Sequence, residues 1–193
     1  MTKIIGLTGG IGSGKTTIAK LFEAAGIPVY IADDEAKKIM QLPETISKIV
    51  NSFGKDISSN NDIDKKKLSE LVFQNPEKLD QLNKIIHPLV KKHFDNWLKK
   101  FKVPYLIKEA AILFESGSFK YCDKIITVIA SEETRINRVI ARDQCTKEQV
   151  LDRIKNQWPD VDKIAKSDFV ILNENLIDAK IQFKEILKKL QNI

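Results

Sequence analysis

The segment Gly9–Thr17, GGIGSGKTT, limits the possible folds more than any other stretch of the sequence. From its first glycine it matches the pattern G-x-x-x-x-G-K-[ST], a glycine-rich loop that cradles phosphate groups. An apolar, β-branched run, Lys3–Thr8, comes directly before this P-loop, and an amphipathic helical pattern from Lys15 to Ala25 follows it. The order strand, loop and helix predicts a nucleotide-binding α/β fold.

Each residue type in the P-loop has a physical reason to be there. Glycines allow backbone angles and close approaches to a ligand that side chains would block. Successive N–H groups then surround a concavity at a helix N-terminus, where phosphate oxygens bind well. Lys15 supplies a positive charge for the β- and γ-phosphates, and the Thr16 hydroxyl can ligate Mg²⁺. We predict that ATP contacts Gly9, Gly10, Ile11, Gly12, Ser13, Gly14, Lys15, Thr16 and Thr17.

Five apolar runs are typical of buried strands: Lys3–Thr8, Val29–Ala32, Tyr105–Leu113, Lys124–Ala130 and Phe169–Leu172. Helical patterns separate them, and this alternation favours one parallel sheet with helices on both faces. We therefore predict an α/β fold, a three-layer P-loop architecture with a five-stranded parallel sheet. A chain of 193 residues suits one such domain, 1–193, with a good core.

A mostly helical stretch, residues 36–102, lies between the second and third predicted strands. Within it, Asn75-Pro76-Glu77 is typical of a helix start, with proline at the first helical position. Pro88 is expected to kink or divide the helix that follows. So much helix between neighbouring strands predicts an inserted subdomain that binds the substrate.

The composition indicates where the protein acts and which kinds of partner it has. No apolar run approaches the about 20 residues that a membrane span needs, and the first ten residues lack the apolar core of a signal peptide. Cys122 and Cys145 are the only cysteines and have no zinc-ligand spacing. The net charge of +6 comes without a compact basic block interleaved with aromatic residues. We expect a cytoplasmic monomer that acts on a small molecule, with no nucleic-acid or membrane partner.

The P-loop alone leaves the use of the triphosphate open. A GTPase should carry Asn-Lys-x-Asp to read guanine, but Asn83-Lys84 is followed by Ile-Ile. A mechanical ATPase usually has a longer chain and an apolar run that ends in aspartate, and the third run, IKEAAILFE, has none. A small-molecule kinase therefore fits best. A nucleoside or nucleoside-monophosphate kinase and a regulatory nucleotide-binding switch protein are the alternatives.

The second apolar run ends in two adjacent carboxylates, Asp33 and Asp34, followed by Glu35. Ligands of open α/β sheets bind at the carboxyl ends of the strands, where a kinase needs a group to orient or deprotonate the acceptor hydroxyl. If the first two strands are close neighbours, Asp33 lies beside the P-loop and is a candidate base. An aspartate here is equally suited to cap the next helix. The residues by themselves support the catalytic role and the capping role of Asp33 equally.

Arginines recur at spacings of three and four on one predicted helix face: Arg135, Arg138 and Arg142. Ser131 suits the N-cap of this helix, and Thr146 with Gln149 forms the capping-box pattern of a second helix. Two helices joined by a polar segment predict a lid, residues 131–158, that closes arginines over triphosphate charge. A solvated basic face is the alternative.

The two histidines, His87 and His93, are six residues apart, so one helix face does not present both as metal ligands. His87 precedes Pro88 in an otherwise apolar stretch. The pattern by itself favours a hydrogen-bonded histidine in the core or at a helix end.

Several segments together resemble one family, the dephospho-CoA kinases. They occur in the family's order along nearly the whole chain: GLTGGIGSGKTT, ADDEAKKI, HPLV, ILFESG, RVIARDQCTKEQVLDRIKNQ and SDFVILNEN. The P-loop is shared with many families, but the ordered set is specific. The resemblance implies phosphoryl transfer from ATP to the ribose 3′-hydroxyl of dephospho-CoA, with Asp33 as the catalytic carboxylate alongside Lys15 on the phosphates.

The resemblance also implies binding roles for residues far from the P-loop in sequence. His87 would lie near the acceptor site in the helical subdomain, with Phe114 and Glu115 at the edge of that site. Arg138 and Arg142 would belong to the lid over ATP. The stretch around Asn173 would lie beside the adenine.

This chain departs from the family pattern at two places. The family often shows Asp-Ala-Asp at the end of the second strand, where this chain has Ile31-Ala32-Asp33. The family's frequent Pro-Leu-Leu before Phe-Glu is Ala111-Ile112-Leu113 here, with Lys108 and Glu109 upstream. We expect Lys108 and Glu109 to replace contacts made otherwise in the family, and Lys108 to contact the acceptor.

Overall fold

The computed structural model describes residues 2–59, 62–73 and 75–191. The chain forms two compact units: the sheet unit, Met1–Ile31 with Lys102–Ile193, and the helical unit, Ala32–Phe101. The predicted insertion, 36–102, includes residues 60, 61 and 74, which lie outside the described residues. No helix in the described ranges is long and apolar enough to cross a membrane.

The elements follow one another along the chain as strands and helices. The sheet unit begins with β1 (Lys3–Thr8), α1 (Lys15–Ala24) and β2 (Val29–Ile31). The helical unit contains α2 (Ala32–Met40), α3 (Pro43–Phe53), a 3₁₀ turn (Lys55–Ile57), β3 (Ser58–Ser59), β4 (Asp62–Ile63), α4 (Lys65–Phe73) and α5 (Pro76–Leu98). The sheet unit then continues with β5 (Tyr105–Glu109), a 3₁₀ turn (Ser118–Tyr121), β6 (Lys124–Ile129), α6 (Glu132–Asp143), α7 (Lys147–Lys155), α8 (Asp160–Ala165), β7 (Phe169–Leu172) and α9 (Leu176–Leu190).

The main sheet has five strands in the order β2-β5-β1-β6-β7, and all its pairings are parallel. This confirms the predicted five-stranded parallel sheet. The first two strands of the chain are not neighbours, however, because β5 pairs with both of them. The sequence placed Asp33 beside the P-loop on the condition that β1 and β2 are close neighbours. That condition was wrong. β5 is buried along most of its length, as a central strand must be, whereas β2 is a three-residue edge strand.

The third predicted strand was too long at its C-terminal end. β5 ends at Glu109, and the chain then turns through Ala110–Gly117. Leu113 and Phe114 in that turn are 0% and 2% exposed. The apolar run therefore continues past the strand because the turn is itself buried. Hydrophobicity alone does not distinguish a buried strand from a buried turn.

One face of the sheet is covered by α1 and α9. Phe22 of α1 meets Phe183 of α9 edge to face, with ring centroids 4.8 Å apart, and both pack on strand residues such as Leu7. The alternate strand residues, including Leu106 and Ile125, are buried as well. Both faces are thus covered, as expected for a parallel sheet.

The helical unit has an apolar core of its own, formed by Ile49, Ile57, Ile63, Leu68, Val72, Leu82 and Ile86. Its longest helix, α5, begins at the predicted start, where the Asn75 side chain accepts hydrogen bonds from the N–H groups of Glu77 and Lys78. The helix runs through Pro88 without a break, so of the two predicted outcomes the division was wrong and the kink stays a prediction. Buried residues on both sides of the proline, Ile86 and Phe94, anchor the helix and offset the lost hydrogen bond, a cost of about 3 kcal/mol.

Candidate nucleotide-binding site

The P-loop joins the carboxyl end of β1 to the N-terminus of α1. Gly14 is the N-cap residue of α1 and has a left-handed backbone, φ 91° and ψ 25°, which glycine adopts without the cost of a Cβ. The N–H groups of the first turn have no partners within the helix. Together with the helix dipole, they make this end of α1 suited to bind an anion.

Lys15 lies inside the loop rather than on the surface. Its side chain is 9% exposed, and its Nζ donates to the carbonyl oxygens of Gly9 at 3.0 Å and Gly10 at 3.4 Å. The ammonium group therefore lies beside the first two residues of the loop that the motif assigns to phosphate.

Asn173, which follows β7, supports the second half of the P-loop. It is 4% exposed, and its Nδ2 donates to the Ser13 carbonyl at 2.8 Å. A Cβ placed on Gly14 would overlap that amide nitrogen. The structure thus brings Asn173 to the P-loop backbone, while its proximity to adenine stays a prediction.

Arg138 and Arg142 lie one turn apart on α6 but in different surroundings. The Arg138 Nη2 donates to the Glu174 carbonyl at 3.1 Å, and its Nη1 is buried with no hydrogen-bond partner among the described residues. That nitrogen lies 3.8 Å from a Cβ built on Gly14. A buried, unsatisfied guanidinium nitrogen beside the P-loop is chemically suited to a phosphate oxygen.

Arg142, in contrast, is exposed and paired with its neighbour in sequence. Its Nε and Nη2 donate to the two carboxylate oxygens of Asp143, at 2.7 and 3.1 Å. Arg153 of α7 binds the same carboxylate at 2.8 Å. The Arg142 hydrogen bond, helped by Arg153, lowers the pKa of Asp143 to about 2. These contacts join the last turn of α6 to the last turn of α7 at the surface.

The two helices of the predicted lid begin where the sequence indicated. The Ser131 hydroxyl accepts from the Thr134 N–H at 3.3 Å, and Thr146 with Gln149 forms a complete capping box. Both predicted caps are confirmed. Glu174 also accepts hydrogen bonds from Thr134 Oγ1 and from the Ser131 N–H, which lower its pKa and tie the start of α6 to the segment after β7.

Two further residues hold the P-loop and were not predicted to do so. Arg135 donates to the Ile11 carbonyl, and Gln157 accepts a hydrogen bond from the Ile11 N–H. These pairs are separated by 124 and 146 positions. A helical spacing rule cannot reveal such contacts, because it compares only residues within a few turns of each other.

Phe114 and Glu115 follow β5 and contact the segment before α8. Phe114 stacks on Trp158 with ring centroids 5.7 Å apart. Glu115 Oε1 accepts from the Trp158 N–H at 2.8 Å and pairs with Nζ of the fully buried Lys163 at 3.3 Å. These contacts give Glu115 a supporting role within the sheet unit, and its contact with an acceptor stays a prediction.

Lys108 and Glu109 are both buried in β5, at 7% and 3% exposure. Glu109 is in register with Leu7 of β1 on one side and with Ile31 of β2 on the other. It therefore places a carboxylate at the carboxyl end of the strand next to Ile31, the position at which the family often has an acidic residue.

Asp33 belongs to the helical unit and is half-buried in the first turn of α2. Because α2 begins at Ala32, Asp33 lies within the helix and not at the cap position before it. The two carboxylates that follow it each pair with a lysine three residues further on: Asp34 with Lys37 at 2.9 Å, and Glu35 with Lys38 at 2.7 Å. The structure thus places Asp33 in the first turn of α2, and its catalytic role stays a prediction.

The histidines occupy separate positions on α5. His87 is half-buried, and the exposed His93 places Nδ1 3.8 Å from a Glu35 carboxylate oxygen. Within the described ranges no group of three or more His, Cys, Asp or Glu could hold a metal ion. The exposed Thr16, in the first turn of α1, offers a hydroxyl oxygen of the kind that Mg²⁺ accepts beside phosphate oxygens.

Comparison with known proteins gives one consistent result. The Dephospho-CoA kinase family model matches residues 3–179. A dephospho-CoA kinase of Fusobacterium nucleatum is 43% identical over 176 residues, which cover 91% of each chain. A Thermus thermophilus protein of known crystal structure superposes with a TM-score of 0.89 at 30% identity, over 99% of this chain and 97% of its own.

A solved dephospho-CoA kinase from Campylobacter jejuni also matches, over the full length of both chains. Its TM-score is 0.71 and its identity is 26%. The family model spans the P-loop, the helical unit and most of the sheet unit. The chain belongs to the dephospho-CoA kinase family.

Proposed function

We propose that this chain transfers the γ-phosphoryl group of ATP to the ribose 3′-hydroxyl of dephospho-CoA, the last step of coenzyme A synthesis. The observation that carries the proposal is the family match over residues 3–179, which includes an intact P-loop. An ATP-dependent kinase is also what the P-loop chemistry favours, because its N–H groups and lysine suit a triphosphate.

The P-loop residues Gly9–Thr17 would bind the triphosphate. Lys15, which lies at the mouth of the loop, would pair with the β- and γ-phosphates and stabilise the charge of the transferring group. The buried Nη1 of Arg138 supports a second cationic contact close to Gly14. Arg142 would join it when the lid, residues 131–158, closes over ATP with its two ends held on the P-loop at Arg135 and Gln157.

Thr16 is the residue that would hold Mg²⁺ together with the nucleotide. When bound, the ion neutralises phosphate charge and orients the β- and γ-phosphates. The Thr16 hydroxyl is exposed at the start of α1, which supports this assignment.

Asp33 would orient or deprotonate the acceptor hydroxyl. Its half-buried place in the first turn of α2 supports this assignment. His87, Lys108, Phe114 and Glu115 would line the acceptor side. Glu109, in register with Ile31, would supply the carboxylate that the family often has at that position.

We further propose that the enzyme acts as a cytoplasmic monomer without a nucleic-acid partner. The mix of basic and acidic residues supports the absence of a nucleic-acid partner, since 32 Lys and Arg accompany 26 Asp and Glu. Charge spread in this way is typical of a solvated surface.

A coupled assay of ADP release tests the proposed reaction. The purified chain is incubated with ATP and Mg²⁺ in three separate reactions. Each reaction contains one acceptor: dephospho-CoA, a nucleoside or a nucleoside monophosphate. Of the three acceptors, we expect only dephospho-CoA to cause rapid ADP release. Faster release with a nucleoside or its monophosphate would replace the proposed acceptor, and ATP binding without turnover of any acceptor would favour a switch protein.

A further inference from the structure

Ile11, the third residue of the P-loop, is held at both of its peptide groups by side chains from distant parts of the chain. Its N–H donates to Gln157 Oε1 at 2.7 Å, and its carbonyl oxygen accepts from Arg135 Nε at 2.9 Å. Its side chain packs against the apolar cluster of Ile136, Val139 and Val150, which joins α6 to α7. A loop residue with three separate attachments is fixed in position.

Arg135 is itself fixed by a carboxylate. It is 6% exposed, and its Nη1 donates to Asp160 Oδ2 of α8 at 2.9 Å. The planar guanidinium donates to the carbonyl and to the carboxylate from two different nitrogens in a fixed geometry, whereas a lysine would donate from a single nitrogen. Its charge is thus compensated inside the protein, and its Nε supports the loop through the Ile11 carbonyl.

The loop approaches α6 so closely that side chains would not fit between them. A Cβ on Gly12, whose φ is +79°, would lie 2.5 Å from the Arg135 carbonyl oxygen. A Cβ on Gly10 would overlap the Arg135 guanidinium. Two of the loop glycines are therefore explained by contact with Arg135, in addition to any approach by a ligand.

The segment that carries Gln157 and Asp160 is anchored on its other side. Glu115 accepts from the Trp158 N–H and pairs with the buried Lys163, and Trp158 stacks on Phe114. Residues 157–163 therefore form a fixed bridge from the turn after β5 to the P-loop.

We propose that Arg135, Asp160 and Gln157, together the Ile11 clamp, are positioning residues that set the P-loop in its triphosphate-binding shape. The three act through hydrogen bonds to the Ile11 peptide groups and, between Arg135 and Asp160, to each other. Their effect is to order the loop before ATP arrives, so that binding does not have to supply the ordering free energy. The inference rests on the proposed nucleotide site and extends it to residues outside the motif.

The test compares two aspartates on one helix. Asp160→Ala removes the partner of Arg135, whereas Asp162→Ala removes an exposed carboxylate of the same first turn of α8. Gln157→Leu removes the acceptor of the Ile11 N–H as an independent variant. The dissociation constant of ATP is measured by calorimetric titration without any acceptor, well below each variant's melting temperature, alongside both KM values and kcat.

We expect Asp160→Ala and Gln157→Leu to weaken ATP binding about tenfold, as loss of one strong hydrogen bond would. KM for ATP should rise in parallel, while KM for dephospho-CoA and the ATP affinity of Asp162→Ala stay at wild-type values. Folded variants that bind ATP as the control does would overturn the proposal, as would equal rises in both KM values. Failure of the wild type to phosphorylate dephospho-CoA would instead refute the proposed reaction, because the ATP titration uses no acceptor.

Discussion

The sheet unit and the helical unit differ in how directly their residues reveal a function. In the sheet unit, nine consecutive residues, Gly9–Thr17, carry the phosphate-binding chemistry, and the structure gives them the backbone and the buried lysine that this chemistry needs. In the helical unit, Asp33 and His87 are dispersed and receive their roles through family resemblance. Binding a phosphate group is thus a local property of sequence, whereas recognising an acceptor depends on residues brought together by the fold.

A second contrast exists within α6. Its predicted arginine face contains Arg135, Arg138 and Arg142, at equivalent helical spacings. Arg135 is buried and holds Ile11, Arg138 is partly unsatisfied beside the P-loop, and Arg142 pairs with Asp143 at the surface. A shared helix face does not imply a shared function, because each position meets a different environment along the helix.

The largest effect is expected in the helical unit, at Asp33. Asp33→Asn removes the group proposed to orient or deprotonate the acceptor hydroxyl, so kcat should fall about a thousandfold while ATP affinity is kept. The neighbouring Asp34→Asn is the matched control, since Asp34 pairs with Lys37 on the surface. Near-normal turnover of Asp33→Asn, or an equal loss in the control, would remove Asp33 from the mechanism.

In the sheet unit, Lys15→Ala should impair both binding and transfer. Loss of the ammonium at the loop mouth is expected to lower kcat about a hundredfold and to raise KM for ATP, because the charge acts in the ground state and in the transition state. Lys20→Ala, on the exposed side of α1, is the control. Unchanged ATP kinetics in Lys15→Ala would refute its phosphate role.

The arginines of α6 should separate in the same assay. We expect Arg138→Gln to raise KM for ATP about tenfold and Arg142→Gln about threefold, since only Arg138 has a buried nitrogen beside the P-loop. Arg153→Gln, which also loses a contact with Asp143, should leave KM unchanged. Identical KM values for ATP in Arg142→Gln and Arg153→Gln would exclude a contact between Arg142 and ATP. A larger effect at Arg142 than at Arg138 would reverse the ranking.

The smallest effect concerns stability at low pH. The pKa of Asp143 is lowered from its ordinary value of 3.8 to about 2, so its pairing stabilises the fold above about pH 4 and is lost as pH falls toward 2. An NMR titration of the carboxyl group should give a midpoint near 2, and Arg142→Gln should raise it. A wild-type midpoint near 3.8 would show that the surface pairs at the α6–α7 junction are not formed in solution.

Much of the fold was predictable because the signals are local. The five parallel strands, the start of α1 and the caps at Ser131 and Thr146 follow from hydrophobic runs, the P-loop pattern and capping chemistry. The position of β5 between β1 and β2 was not predictable, because strand order depends on pairing between distant segments. The early end of β5 was missed for a different reason, since its buried turn has the composition of a strand.

The candidate site shows the same division. The motif identified the loop that faces phosphate, but not the Ile11 clamp, whose members lie more than a hundred positions away from Ile11 and meet it only in the folded chain. Glu115 was expected to contact the acceptor, and the fold also gives it Trp158 and Lys163 as partners. Contacts of this kind require the three-dimensional structure.

The central claim is that the chain phosphorylates dephospho-CoA on its ribose, and the product tests it most directly. The wild-type chain is incubated with ATP, Mg²⁺ and dephospho-CoA, and the product is analysed by mass spectrometry and ³¹P NMR. We predict a molecule one phosphoryl group heavier than dephospho-CoA, with the new phosphate on the 3′-oxygen, and about a thousandfold less of it from Asp33→Asn in the same time. Unchanged dephospho-CoA, or a phosphate at any other position, would contradict the account.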